Sequence, residues 1–269
     1  MARPGNAAIA VVTLAAGYFL ASAEFVPANF LADILGMALA VAFANIHNDI
    51  LDFEPDKVNR PDRPLPSGRV STRAAKLAAL LCAAFSLAVA LPLPGLWAPH
   101  FAFYVPLLLA LYLYNRAFKR FPLFKNMVVA ALCATPLLRV ALLPHADVSK
   151  LYPAMAFAFL YTFAREILKD LEDAPGDAAA GIDTFPVIVG REMPERLASL
   201  LVLAAWLMLP LPVLLKSYQP AFLLALLPLT PVSLLILLAT RSGNYRKAQK
   251  FAKIAMLLGL VALIAAKAV

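Results

Sequence analysis

The stretch ANFLADILGMALAVAFANIHNDILDFEPD, residues 28–56, passes from an apolar run into three aspartates, Asp49, Asp52 and Asp56. The run 28–46 is close to the roughly 20 residues a helix needs to cross a bilayer. A second apolar run, 151–168, leads into Asp170-x₂-Asp173-x₃-Asp177, the same spacing as Asp49-x₂-Asp52-x₃-Asp56. The two triplets follow the second and the sixth apolar run. This repeat predicts an all-α membrane bundle of two related halves facing each other around one central cavity.

The rest of the chain fits that frame. Of 269 residues, 62% are hydrophobic and only 15% charged, against about 25% charged in soluble domains. Apolar runs fall near 7–23, 28–46, 74–93, 100–114, 126–143, 151–168, 197–215, 220–240 and 251–267. They predict about nine spanning helices in one integral domain, 1–269, with run 7–23 a retained helix despite its likeness to a signal peptide. Basic residues concentrate in alternate loops, from Lys57 to Arg73, Arg116 to Lys125, Arg165 to Arg196 and Arg241 to Lys250. The positive-inside rule then predicts a cytoplasmic N-terminus, cytoplasmic basic loops and an outside C-terminus. The net charge of +8 is thereby assigned to orientation and anionic lipid headgroups, with no nucleic-acid partner. Cys82 and Cys133 lie inside apolar runs, which speaks against a disulfide or a metal pair.

Two cytoplasmic loops, about 47–73 and 165–196, are expected to hold most of the acidic residues. On a helix Asn48 and Asp52 share a face, whereas Asp49 and Glu54 look elsewhere. Pro55 and Pro175 each precede the last aspartate of a triplet, which predicts that Asp56 and Asp177 sit in loops past the helix ends. Clustered carboxylates repel unless a cation compensates. Mg²⁺ suits them, because it takes hard oxygen ligands and is commonly shared between carboxylates and a diphosphate. Arg60, Arg63, Lys119 and Arg165 on the same membrane face are candidates to complete the neutralisation. The stretch Asn59-Arg-Pro-Asp-Arg-Pro-Leu-Pro-Ser-Gly68 is a fixed-shape loop by its proline and glycine content and would set Arg60 and Arg63 against phosphate oxygens.

At these residues the chain resembles the UbiA superfamily of intramembrane prenyltransferases. The resemblance rests on Asn48-Asp-x₂-Asp52-x₃-Asp56, the Asn59–Gly68 loop, Tyr114-x₄-Lys119, Asp170-x₂-Asp173-x₃-Asp177 and the opening Arg3-Pro4-x-Asn6. The segment from Arg165 to Asp177, followed by Gly181-x₂-Thr184-x-Pro186, is similar to the archaeal digeranylgeranylglyceryl phosphate synthase branch. The resemblance implies Mg-dependent transfer of a geranylgeranyl group from its diphosphate to a hydroxyl acceptor in ether-lipid synthesis. Asn48, Asp52, Asp56, Asp170, Asp173 and Asp177 would hold magnesium. Lys119 and Arg63 would donate to the diphosphate, Asn6 and Arg60 would line the substrate site, and Arg165 and Lys169 would bind an acceptor phosphate. No enzyme nucleophile is implied.

Aromatic prenylation of 4-hydroxybenzoate for quinone synthesis differs only in acceptor. A cation transporter is a distant alternative, since the acids cluster at helix ends beside a basic loop and not at the bilayer midplane. His47 is the one histidine on the catalytic face. Arg139, inside the fifth run, is either a functional intramembrane charge or a side chain that snorkels to the outer interface.

Overall fold

A computed structural model describes residues 1–21 and 25–267, leaving the end of the first apolar run, 22–24, outside. The helices are α1 Pro4–Leu20, α2 Pro27–Leu51, α3 Phe53–Asn59, α4 Thr72–Ala88, α5 Trp97–Arg116, α6 Phe124–Ala141, α7 Val148–Ala179, α8 Phe185–Val189, α9 Glu192–Leu207, α10 Leu211–Leu214, α11 Leu226–Arg241 and α12 Tyr245–Lys267. Two 3₁₀ turns, Phe118–Arg120 and Pro220–Ala225, complete the regular structure, and there is no strand among the described residues. An all-α solution follows from the composition, because a helix satisfies its own backbone hydrogen bonds and so tolerates lipid.

Among the described residues, five stretches are long and apolar enough to cross a membrane: Pro27–Leu51, Trp97–Arg116, Phe124–Ala141, Glu192–Leu214 and Pro220–Arg241. The helix α1 is apolar but shorter. The run 100–114, short on paper, belongs to a 20-residue helix. Large apolar side chains such as Leu214 at 74% and Leu227 at 73% exposure point outward, an arrangement suited to a lipid solvent.

The chain divides into two compact units, each carrying one aspartate triplet: Met1–Ala15 with Phe25–Lys119, and Ala16–Glu24 with Arg120–Val269. In the first, α2 packs on α4 and α5 along a stripe that includes Ala32, Gly36, Met37 and Ala40. A Cβ on Gly36 would come within 2.9 Å of the Tyr104 ring and 3.0 Å of His100, so glycine is what lets α5 approach. A buried polar knot ties these helices. His100 Nδ1 lies 3.6 Å from Asp33 Oδ1, His100 Nε2 lies 2.7 Å from the Ser86 carbonyl, and the Tyr104 hydroxyl donates to the Asp33 carbonyl at 2.8 Å.

In the second unit α7 is central, packing on α6, α9 and α12. The Tyr161 and Ser233 hydroxyls pair at 2.7 Å, joining α7 to α11. The Asp147 carboxylate caps α7 by accepting from the Ser149 amide at 3.2 Å.

Three expectations are corrected. The segment 165–196 is not one long loop: α7 runs on to Ala179 and ends only before Gly181, whose φ of +68° is left-handed. Asp177 therefore stands on the helix despite Pro175, which lacks one backbone donor near the helix end without stopping it. Asp56 also stands on a helix. The chain breaks at Asp52 and restarts as α3, where Pro55 falls in the first turn and its missing N–H is not needed. Arg139 does not snorkel; it is 1% exposed, its long side chain held inside the protein.

Candidate active site

In the first unit the i,i+4 relation works as the sequence implies. Asn48 Nδ2 donates to Asp52 Oδ2 at 2.9 Å, across the last turn of α2. Lys119, just past α5, reaches both: its Nζ lies 2.7 Å from each Asp52 oxygen and 3.1 Å from Asn48 Oδ1. The Tyr114-x₄-Lys119 spacing thus brings an ammonium onto the acidic helix end.

Asp49, on another face of α2, is 4% exposed and gathers a different set of cations. Arg3 donates to it at 2.8 Å, while the N-terminal ammonium and Arg63 lie 3.6 Å away. Arg63 also donates to Asp56 Oδ2 at 2.5 Å. The loop after α3 holds Arg63 there by its own bonds: the Ser67 amide donates to the Arg63 carbonyl at 3.0 Å, the Val70 amide to the Pro64 carbonyl at 3.0 Å, and Leu65 is buried under it. The fixed-shape loop is as expected, but it sets Arg63 against carboxylates. Arg60 is exposed at the end of α3, and the Asn59 side chain lies outside the described residues. Asn6 donates to Asn45 Oδ1 at 3.4 Å. His47 is stacked between Phe43 and Tyr112 and paired with Asn115 at 3.3 Å, a packing role.

In the second unit Asp170 is the buried member, 6% exposed. Its Oδ1 accepts from Lys125 Nζ at 3.0 Å and its Oδ2 from Asn126 Nδ2 at 2.9 Å, both residues in the first turn of α6. Asp173 is exposed, and Asp177 is half-buried. Burial pushes the Asp177 carboxyl above the usual range, with the Asp173 and Asp170 charges adding to the rise while Lys125 and the Thr184 hydroxyl oppose it. Lys169 is exposed. Arg165 Nη1 donates to the Glu166 carboxylate at 2.5 Å. Glu172 accepts from Gln249 at 2.5 Å and fastens the start of α12.

Lys125 and Asn126 are neighbours of the aspartates that the motifs alone did not single out, and Arg3, part of the opening motif, meets Asp49 in a pairing the motif did not indicate. Lys125 had a signal: like Lys119, it is a lysine at a helix junction beside a triplet.

The donor set fits magnesium. Asn48 Oδ1, Asp52 and Asp56 in the first unit, and Asp173 and Asp177 in the second, each offer the hard oxygens that magnesium takes. Among the described residues no three Asp, Glu, His or Cys side chains converge as a closed metal cage would require. Magnesium shared with a substrate needs only one or two protein carboxylates.

An apolar helical protein that gathers carboxylates, an amide oxygen and lysines at its helix ends is equipped for a metal-bound diphosphate with a greasy tail. The comparisons give that class a family. The UbiA prenyltransferase family matches residues 10–261. The chain belongs to that family, and it is a membrane prenyltransferase. It is 37% identical over 267 residues to a digeranylgeranylglyceryl phosphate synthase of Methanopyrus kandleri, covering 98% of this chain and 97% of the relative. A solved structure concerned with digeranylgeranylglyceryl phosphate synthase in membranes superposes with a TM-score of 0.80 at 26% identity, covering 99% of this chain and 95% of that one. A UbiA homolog from Archaeoglobus fulgidus bound to DMAPP and Mg²⁺ shares the fold with a TM-score of 0.66 at 17% identity, covering 98% of each chain.

Proposed function

We propose that this chain transfers a geranylgeranyl group from its diphosphate to the free hydroxyl of geranylgeranylglyceryl phosphate, with Mg²⁺. The observation that carries the acceptor is the 37% identity, over 98% of the chain, to a relative named for that product. Asn48, Asp52, Asp56, Asp173 and Asp177 are the proposed magnesium ligands, joined by Asp170 once Lys125 lets go. Magnesium, when bound, offsets charge on the departing diphosphate. Lys119 would donate to the same oxygens, and Arg60, Arg63 and Asn6 would hold the diphosphate end. The apolar helices keep water from the allylic carbon as the C–O bond opens. Arg165 and Lys169 are proposed to meet the acceptor phosphate.

Each of the nine apolar runs overlaps a helix, and the basic loops alternate along them. That supports nine crossings in one integral domain with a cytoplasmic N-terminus and an outside C-terminus. The repeated triplet, one copy in each unit, supports two related halves.

The test is incubation of the purified chain with Mg²⁺, geranylgeranyl diphosphate and a choice of acceptors. Alkylation of geranylgeranylglyceryl phosphate is expected. Prenylation of 4-hydroxybenzoate alone would overturn the reading.

A further inference from the structure

Thr162, Glu166, Asp170, Asp173 and Asp177 are spaced four, four, three and four residues apart along α7, so they form a single stripe. The last three belong to the proposed metal site. Thr162 and Glu166 extend the stripe deeper into the second unit, and nothing in the diphosphate chemistry uses them. Glu166 lies one turn from Asp170, about 6 Å along the helix axis.

The surroundings of Glu166 are built, not incidental. Its side chain is 14% exposed and paired at 2.5 Å with Arg165, itself 21% exposed. Cys133, from α6, is close enough to feel the Glu166 and Arg165 charges and shares a hydrogen bond with Thr162. One buried polar atom in this cluster, Arg165 Nε, makes no hydrogen bond, and Thr162 beside it is 2% exposed. Buried polar atoms are nearly always satisfied, because an orphan gives up its hydration for nothing. Such a donor beside an ion pair and a buried hydroxyl describes a subsite for a polar group carried on an apolar molecule.

We propose that Glu166 is the base that takes the proton of the acceptor hydroxyl, with Arg165 and Thr162 lining the acceptor's polar end. This rests on the reading of the chain as an alkyl transferase to a hydroxyl. The allylic C–O bond breaks and its electron pair leaves with the diphosphate. A lone pair of the acceptor oxygen forms the new ether bond, and the proton on that oxygen passes to a Glu166 carboxylate oxygen. A protonated ether is strongly acidic, so the base must be well placed more than strongly basic. Arg165 makes this possible by offsetting the cost of keeping a carboxylate among apolar helices.

The experiment uses the purified full chain with Mg²⁺, geranylgeranyl diphosphate and geranylgeranylglyceryl phosphate. E166Q is expected to lose about 10²-fold in kcat, with unchanged binding of geranylgeranyl diphosphate, and E166D to recover part of the loss. Wild-type kcat in E166Q overturns the assignment while leaving the transferase reading intact. A wild-type protein that alkylates no hydroxyl acceptor overturns both. Should E166Q not fold, E166D carries the test: lowered kcat with unchanged diphosphate binding supports the base, and wild-type kcat overturns it.

Discussion

Lys119 Nζ sits 2.7 Å from both carboxylate oxygens of Asp52 and so competes with any metal for them. Replacing it separates two roles. Lys119→Met leaves Asp52 without its ammonium, so Mg²⁺ alone should bind more tightly, read by calorimetric titration. The same variant loses a donor to the diphosphate, and transfer should fall by about 10²-fold. Weaker Mg²⁺ binding in the variant would show that Lys119 does not hold Asp52 against the metal.

Each triplet divides its labour. Its first aspartate, Asp49 or Asp170, is buried and held by cations, whereas its second, Asp52 or Asp173, is more open. Asp52→Ala and Asp173→Ala should abolish turnover, by at least about 10³-fold, with the thermal midpoint in detergent nearly unchanged. Asp170→Ala strands Lys125 and the buried Asn126 and should cost about 3 kcal/mol of stability, read as a lowered midpoint. Full activity in Asp52→Ala or Asp173→Ala would sink the two-cluster mechanism.

Local pattern and long-range contact explain what was legible beforehand. The Asn48–Asp52 bond is a four-residue helix relation, and any sequence reader can place it. The arrival of Lys125 and Asn126 at Asp170 spans 45 and 44 residues, and no periodicity encodes it. The same holds for Arg3 meeting Asp49. Prolines misled in the opposite way. Pro55 and Pro175 raise the local cost of a helix, but a first turn needs no donor and a helix near its end loses little by a missing one. For Arg139, side-chain length suggested a route to the interface, whereas packing around α6 holds it inside.

The cap of α7 makes stability depend on pH. The Ser149 hydroxyl at 2.6 Å holds the Asp147 carboxyl below its ordinary range, opposed by burial and assisted by Lys150. A carboxyl lowered on folding stabilises above its unfolded pKa, and that contribution is lost as pH falls through the lowered folded value. Asp147→Ala should therefore cost about 1 kcal/mol at neutral pH, and the gap in thermal midpoint to the wild type should shrink on acidification below the carboxylate range. A gap constant with pH would mean the ionised carboxylate is not the cap.

Two glycines on helices should respond to the same substitution with opposite signs. A Cβ on Gly259 of α12 would stand 2.4 Å from Phe157 Cε1 of α7, closer than any real contact. The Phe157 ring is itself packed on Tyr161, with centroids 4.6 Å apart, so it has little room to retreat. Gly259→Ala should thus force α12 and α7 apart and cost about 1–3 kcal/mol. Gly176 of α7 has nothing within 4 Å of its added Cβ, and its backbone is helical. There Gly176→Ala removes only the excess freedom of glycine and should stabilise by about 0.5–1 kcal/mol. Thermal unfolding of the two variants in one detergent reads the contrast. A Gly259→Ala protein as stable as the wild type would show that the α7–α12 contact can open without loss.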